Sequence, residues 1–305
     1  MTARTVSMGA PFRWLMKAVD VGRRNPRALF GGFTLLLVVG LVPSVVQLVS
    51  QFALADAPVL MWSVYGLSVL ASLVLLPPVM GAAIRLLHRC ETGQPAAASD
   101  LFDGYRDTAF AVRMVLTALL MMAIYLAVFV ALYLLLPGKE FFVEAMMRSM
   151  AAPPGGQPDM TGMPELDPSV LPMMLLWVLG MMAAIFAMTH AYMLAFTHAA
   201  LGGYGPAAAV SAGFKAMLKN VFPLLGFTLA VMVVGFLLTL ILVLVIAVLA
   251  TVLALVHPVL AGVVIVPVYL LVALATYVVM FGFYYHGWRE IFGEMAADPM
   301  DAISA

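Results

Sequence analysis

Long apolar runs, separated by short breaks that contain prolines or polar residues, dominate this chain. No Asp, Glu, Lys or Arg occurs from residue 221 to residue 288. One helix of that length would measure about 100 Å, whereas the hydrocarbon core of a bilayer is about 30 Å thick. The stretch must therefore fold back, and His257-Pro258 is the favoured hinge because a residue before proline disfavours the helical region. The whole pattern predicts six membrane-spanning helices, near 29–49, 59–83, 110–136, 171–197, 222–249 and 259–285.

The composition favours the same interpretation. The 305 residues are 65% hydrophobic and only 10% charged, against about 25% charged in an ordinary soluble domain. A soluble chain this apolar would not cover its surface with polar groups. We therefore expect an all-α fold, a polytopic transmembrane helical bundle that forms a single membrane domain over residues 1–305.

The basic residues predict the orientation of the bundle. Thirteen of the 15 lie in the segments that share a side with the N-terminus, and only Lys139 and Arg148 do not. Cytoplasmic segments carry an excess of Lys and Arg, so both termini are predicted to be cytoplasmic. This makes 1–28 and 289–305 cytoplasmic and 137–170 an outer loop, with Pro153-Pro154-Gly155-Gly156 at its centre.

Three inner segments, 12–25, 99–113 and 207–220, share an amphipathic pattern and each leads into a span. We interpret them as interfacial amphipathic helices on the cytoplasmic side. The second and third also share an approach, because His88 precedes Gly93 as His198 precedes Gly203, and a Pro-Ala-Ala-Ala run follows each glycine. The pattern predicts three units in one orientation, a parallel repeat.

A family resemblance rests on a few features of the first 110 residues. These are the Trp14-bearing inner segment, Asn25-Pro26 before the first span, and Pro77 to Gly81 leading to the linker Gly93-Gln94-Pro95. The plan resembles a group of uncharacterised multi-pass proteobacterial membrane proteins, which is similar to the membrane domain found beside glycerophosphodiester phosphodiesterases. The resemblance implies a fold and a bacterial inner-membrane location, so the outer loop would be periplasmic. It transfers no site residue, and the phosphodiesterase domain is absent from this sequence.

The basic inner segments suggest contact with lipid. Each Lys or Arg near an anionic surface gains about 1 kcal/mol, while the apolar face enters the acyl boundary. The candidate lipid-contact residues are Arg13, Lys17, Arg23, Arg24, Arg106, Lys215 and Lys219. The alternative is that these helices only brace the spans. Our leading hypothesis is a non-enzymatic membrane protein that organises lipid, or binds a membrane-protein partner or a second copy of itself. The zero net charge argues against a nucleic-acid partner.

A transporter or exporter of an apolar or lipid-like substrate is the second hypothesis. His190 lies inside the fourth predicted span, and an intramembrane histidine suggests a functional site. With Tyr192 and Tyr277 it can line an uncharged cavity. The alternative is a neutral histidine that hydrogen-bonds across helices. No Asp or Glu lies within the predicted spans, which argues against an ion-driven carrier.

Soft-metal handling is a third hypothesis. Met147 and Met150, and again Met160 and Met163, have spacings at which two thioethers can meet one Cu(I) ion. The alternative is flexible apolar filler, since methionine is abundant throughout the chain, with 24 residues. The sequence contains no phosphate-binding loop, nucleophile elbow or HExxH motif, and its single cysteine, Cys90, lacks a catalytic context. We therefore expect neither an enzyme nor a cofactor.

Overall fold

A computed structural model describes residues 3–54, 56–151 and 168–293. These residues form helices and turns, and none of them forms a strand, which confirms the all-α class. The α-helices are α1 (Ala10–Val19), α2 (Pro26–Ala53), α3 (Pro58–Thr92), α4 (Asp103–Arg106), α5 (Thr108–Leu134), α6 (Lys139–Ala151), α7 (Leu171–Gly202), α8 (Pro206–Lys219), α9 (Val221–Val256) and α10 (Pro258–Phe292). Two 3-10 turns occupy Ala98–Phe102 and Pro168–Val170.

Six of these helices, α2, α3, α5, α7, α9 and α10, are long and apolar enough to cross a membrane. The chain is therefore an integral membrane protein, and the six predicted spans are each found as a helix. The hinge at His257-Pro258 also holds, because His257 has an extended backbone and its side chain accepts a hydrogen bond from the amide of Val259. Several helices are longer than the predicted spans. Helix α3 ends at Thr92, beyond the predicted residue 83, and α10 ends at Phe292, beyond the predicted residue 285.

The Pro77-Pro78 pair lies inside α3 and does not end it. Proline removes a backbone donor, so carbonyl groups one turn earlier lose their usual partners. Tyr105 Oη donates a hydrogen bond to the nearby carbonyl oxygen of Leu75 at 2.6 Å. Burial raises the pKa of Tyr105, which keeps the hydroxyl protonated as a donor. The prolines deprive the carbonyls of Leu73 and Val74 of a donor, and the Tyr105 hydroxyl braces α3 at the next residue.

Two segments differ from the predicted pattern. Within the predicted outer loop, 139–151 forms helix α6, although its sequence lacks an apolar period; Arg148 Nε donates to Glu144 Oε1 at 2.9 Å one turn away. The segment 99–113, predicted as one amphipathic helix, is a 3-10 turn followed by the single turn α4. It breaks at Asp107, whose backbone is extended before α5 begins.

The chain divides into two compact units, residues 1–120 with 190–305, and residues 121–189. The main hydrophobic core lies within the first unit. It joins the first turns of α2, the second half of α3 and the last turns of α7 and α10, through residues such as Leu29, Phe33, Leu87, Phe196 and Phe281. In the second unit, the Trp177 indole N–H donates to the carbonyl oxygen of Leu132 at 2.7 Å.

Candidate functional site

Thirteen of the 15 basic residues belong to four segments of the first unit: 3–27, 85–113, 198–220 and 286–293. We call these four segments the basic end. Hydrogen bonds tie them together: the amide of Arg4 donates to Ile291 O at 2.8 Å, and Asn25 Nδ2 donates to Ala96 O at 3.0 Å. The positive charge that is scattered along the sequence is therefore collected on one part of the unit.

Helix α1 is anchored to the last turns of α10 by Trp14. The indole is 2% exposed and its N–H donates to Glu290 Oε2 at 2.7 Å. The ring lies directly over Gly287, where an added Cβ would be 3.0 Å from Trp14 Cε3. One turn further along α1, Ala18 approaches Gly282 equally closely. Arg13 completes the contact with an ion pair to Glu290 at 3.0 Å.

The other two inner segments also approach a span through glycine. A Cβ on Gly104 of α4 would collide with the carbonyl group of Pro78 in α3. A Cβ on Gly213 of α8 would lie 2.5 Å from the carbonyl oxygen of Ala191 in α7 and 2.6 Å from the Cβ of Ala195. Both glycines therefore allow the inner segment to rest on the backbone of the span that precedes it in the sequence.

These contacts extend the three-unit pattern that the sequence predicts. The segment 98–106 rests on α3, α8 rests on α7 and α1 rests on α10, so each inner segment packs on the second, fourth or sixth span. The three spans also end alike, each at a glycine with a left-handed backbone: Gly93, Gly203 and Gly293. His88, His198 and Trp288 each lie five residues before that glycine. The third member, with tryptophan in place of histidine, was not recognised from the sequence.

The predicted lipid-contact residues fall into two groups. Five have protein partners: Arg13 pairs with Glu290, Arg23 with Asp20 and Arg106 with Asp103, while Arg24 donates to the carbonyl oxygen of Glu91 and Lys219 to that of Ala3. The other two, Lys17 and Lys215, are exposed, and neither ammonium has an ion-pair partner in the described part of the chain.

The outward face of α1 is apolar. Phe12, Met16 and Val19 are 45%, 70% and 63% exposed, whereas Trp14 and Ala18 on the opposite side are buried. Exposed apolar side chains beside the unpaired ammonium of Lys17 are the arrangement of a helix that lies in the membrane interface. The sequence predicts that this face enters the acyl boundary; in the structure Phe12 also contacts the ring of Phe227 in α9 edge-on, with the centroids 5.4 Å apart.

Two arginines have roles that sequence reasoning missed. Arg113 Nε donates to the carbonyl oxygen of Ala199 at 3.1 Å, and Arg85 Nε donates to that of Ala200 at 3.2 Å. These carbonyls lie in the last turn of α7, where backbone oxygens lack helical partners. Arg85 also stacks on Phe110, 3.5 Å from the ring centroid. The sequence indicated only that both residues were basic and lay near the inner side.

Asp107 links Arg85 to the start of α5. We expect these contacts to make the stability of the fold depend on pH. Its Oδ1 accepts a hydrogen bond from the amide of Phe110 at 3.0 Å, and its Oδ2 lies 3.5 Å from Arg85 Nη1. The hydrogen bond, followed by the attraction of Arg85, lowers the pKa of Asp107 below its ordinary 3.8. A lowered pKa stabilises the fold fully above the ordinary value, and this contribution disappears as the pH falls through the folded-state value.

We therefore expect Asp107→Asn to reduce stability at neutral pH, and the difference between the two proteins to shrink as the pH falls below about 4. Melting temperatures of both proteins in the same detergent, measured from neutral pH to about pH 3, test this. A difference that stays constant over the whole range would contradict the role assigned to the charge.

The three residues proposed to line a transport cavity lie in different surroundings. His190 is 6% exposed, and its Nδ1 and Nε2 lie 3.0 Å from Tyr284 Oη and Thr228 Oγ1 respectively. It thereby links α7 to α9 and α10, as in the interhelical alternative. Tyr192 packs against the hydrophobic core, next to Phe196. Tyr277 lines a cavity of about 310 Å³ between α2, α3 and α10, and neither His190 nor Tyr192 is among its lining residues.

The methionines proposed for copper are described only in part. Met147 lies in α6 and is 54% exposed. Met150 belongs to the same helix, but its side chain is outside the description, as are Met160 and Met163 entirely. Among the described residues, no group of three or more His, Cys, Asp or Glu side chains is placed to hold a metal ion.

Comparison with known proteins gives no assignment for this site. No protein-family model, no curated protein and no solved structure matches the chain.

Proposed function

We propose that this chain is a non-enzymatic protein of the bacterial inner membrane that organises anionic lipids at its basic end, with both termini in the cytoplasm. The observation that carries the proposal is the surface of α1, where an exposed apolar face adjoins the unpaired ammonium of Lys17. Thirteen of 15 basic residues in the same part of the molecule support the orientation. The resemblance noted in the sequence supports the inner-membrane location.

The physical basis is a combination of two modest forces. An apolar helix face gains free energy by entering the boundary between headgroups and acyl chains. Each Lys or Arg near an anionic surface adds about 1 kcal/mol. The arginines that are paired within the protein contribute little further attraction, because their charge is already matched. We therefore assign the lipid contact to exposed cations that have no partner among the described residues. Two of them are Lys17 in α1 and Arg27 in the first turn of α2.

The test is native mass spectrometry of the full chain released from nanodiscs that contain equal amounts of phosphatidylglycerol and phosphatidylcholine. The wild type is expected to retain phosphatidylglycerol preferentially. Lys17→Gln and Arg27→Gln should each reduce that preference about fivefold, the equivalent of about 1 kcal/mol. Lys139→Gln, which removes the same charge from α6, is the matched control and should leave the preference unchanged. Equal retention of both lipids by the wild type would reject the proposal.

A further inference from the structure

A cavity of about 330 Å³ lies at the basic end, between the N-terminal segment, the last turns of α7 and one face of α8. Its walls include the small residues Ala208 and Ala212. Its polar side chains are His198, Tyr204, Ser211, Lys215 and Lys219. No described residue that lines it carries a negative charge. The described lining therefore offers hydrogen-bond donors and two positive charges, and it contains no carboxylate that would neutralise those charges.

His198 is held rigidly with one nitrogen committed to the protein. The indole N–H of Trp288 donates to His198 Nδ1 at 3.0 Å, so the ring is an acceptor at Nδ1 and the neutral tautomer carries its proton on Nε2. The imidazole is stacked between the rings of Tyr204 and Phe292, with both pairs of centroids 4.3 Å apart. Within the described residues no hydrogen bond occupies Nε2. This N–H is therefore a fixed donor available to the cavity that the side chain lines.

The face of α8 supplies three further donors in register. Ser211, Lys215 and Lys219 are spaced four residues apart, so their side chains follow one another along the same side of the helix. Lys219 Nζ is held at the cavity by its hydrogen bond to the carbonyl oxygen of Ala3, at 2.8 Å. Lys215 is exposed and has no partner among the described residues. It can therefore turn toward a ligand in the cavity.

The start of α8 reinforces this arrangement. Ala208 belongs to the first turn of α8, where amide N–H groups have no partner within the helix. The cavity runs along α8 to its last residue, Lys219, so these first-turn amides add positive character at the Ala208 end of the cavity only. Donors converge from two helices, and both formal charges in the lining are positive. A tetrahedral oxyanion with several acceptor oxygens matches such a site better than a neutral or cationic ligand.

We propose that this cavity binds a phosphate group, either the headgroup of a phosphorylated lipid or free phosphate. This inference rests on the proposed function. Helix α1 attracts anionic lipids in general, whereas the cavity would bind one phosphate group at a defined site. His198 Nε2–H fixes the orientation of the phosphate, Ser211 donates one neutral hydrogen bond, and the two lysines balance the charge. Nothing in this assignment requires a chemical step.

The experiment uses the full chain in nanodiscs of phosphatidylcholine alone, with inorganic phosphate as the probe and thermal stability as the readout. Potassium chloride at matched ionic strength controls for screening. A parallel sample contains phosphatidic acid at one part in ten and no added phosphate. Saturable stabilisation by inorganic phosphate identifies the free anion as a ligand, whereas stabilisation by phosphatidic acid alone identifies the lipid headgroup. Either result supports the site.

Lys215→Gln tests the assignment, because this side chain is exposed and has no partner among the described residues, so we expect the variant to fold. Loss of a charge-assisted hydrogen bond should raise the half-saturating concentration about tenfold or more. Lys139→Gln, the charge-matched control in α6, should bind like the wild type. Absence of saturable stabilisation by both probes, or an equal change in the two variants, would overturn the site.

The two proposals can fail separately in these measurements. A preference for phosphatidylglycerol without stabilisation by either inorganic phosphate or phosphatidic acid would reject the cavity and retain the proposed function. Saturable binding of inorganic phosphate without a preference for anionic lipid would retain the cavity and reject the proposed function.

Discussion

Replacement of Trp14 by alanine is expected to lower the free energy of unfolding by about 3–5 kcal/mol, the range for removal of a large aromatic side chain from a packed core. Trp14 is 2% exposed, covers Gly287 and contacts the ring of Phe283 edge-on. Its loss leaves a cavity between α1 and α10 that a rigid helix pair cannot readily fill. It also leaves Glu290 without its indole donor. Unfolding by sodium dodecyl sulfate, followed by circular dichroism in mixed micelles, measures the change.

Two further variants separate the causes of that loss. Trp14→Phe retains an aromatic ring but removes the hydrogen bond to Glu290, and should cost about 1–3 kcal/mol. Phe12→Ala truncates an aromatic side chain on the exposed face of the same helix, and is expected to cost much less because Phe12 is 45% exposed. A loss for Phe12→Ala as large as that for Trp14→Ala would show that α1 is stabilised through its outer face.

The number and approximate position of the spans followed from the sequence because lipid imposes a simple rule. Every backbone polar group must be satisfied within the membrane, so a long apolar run is a helix. The ends of the helices were less predictable. Residues 84–92 of α3 are helical although they contain Arg85, His88 and Arg89, because interactions with other segments compensate for these polar side chains. Hydrophobicity alone carries no signal for such an extension.

The break at Asp107 shows where local pattern fails. The spacing of apolar residues over 99–113 fits one amphipathic helix, yet the chain leaves the helical region at Asp107. The reason is competition by a side chain: Asp107 accepts the hydrogen bond of the Phe110 amide and so starts a new helix. An Asp three residues before a long apolar run is a signal for such a cap, but here the apolar period continues through Asp107 and masks it.

The candidate site was predictable only as a set of charges. Lys215 and Lys219 were identified as basic residues on one face of α8, and the spacing of Ser211 was visible in the same segment. The role of His198 was not, because it depends on Trp288, 90 residues away, which fixes its tautomer. The repeat offered a partial signal, since His198 occupies the same place before a glycine as His88. Long-range pairing of this kind is a property of packing and leaves no local pattern.

The second large effect is expected at the glycines on which the inner segments rest. In Gly213→Ala the new methyl group would lie 2.5 Å from Ala191 O and 2.8 Å from the amide nitrogen of Ala195, both of which are backbone atoms. Neither atom can rotate away, so α8 must shift from α7. Overpacking of this kind costs about 1–3 kcal/mol, partly offset by the gain in helix propensity of about 1 kcal/mol. The same unfolding titration measures the balance.

Gly235→Ala is the matched control, because Gly235 lies inside α9 and an added Cβ there meets nothing within 4 Å. It should be neutral or slightly stabilising, since only the helix propensity changes. Gly104→Ala tests the corresponding contact between α4 and α3, where the obstructing atoms are the backbone O and C of Pro78. A loss of stability is expected. Equal stability of Gly213→Ala and Gly235→Ala would show that α8 is not held against α7 as closely as described.

The shift of α8 expected in Gly213→Ala should also affect phosphate binding in the cavity. His198 lies on α7, seven residues after Ala191, whereas Ser211, Lys215 and Lys219 lie on α8. A shift of α8 away from α7 separates the imidazole from the hydroxyl and the two ammonium groups, without altering any of them. Gly213→Ala should therefore weaken phosphate binding in the nanodisc assay even at temperatures where the variant remains folded, whereas Gly235→Ala should not. Unaltered phosphate affinity in folded Gly213→Ala would mean that the donors do not act on one ligand across the two helices.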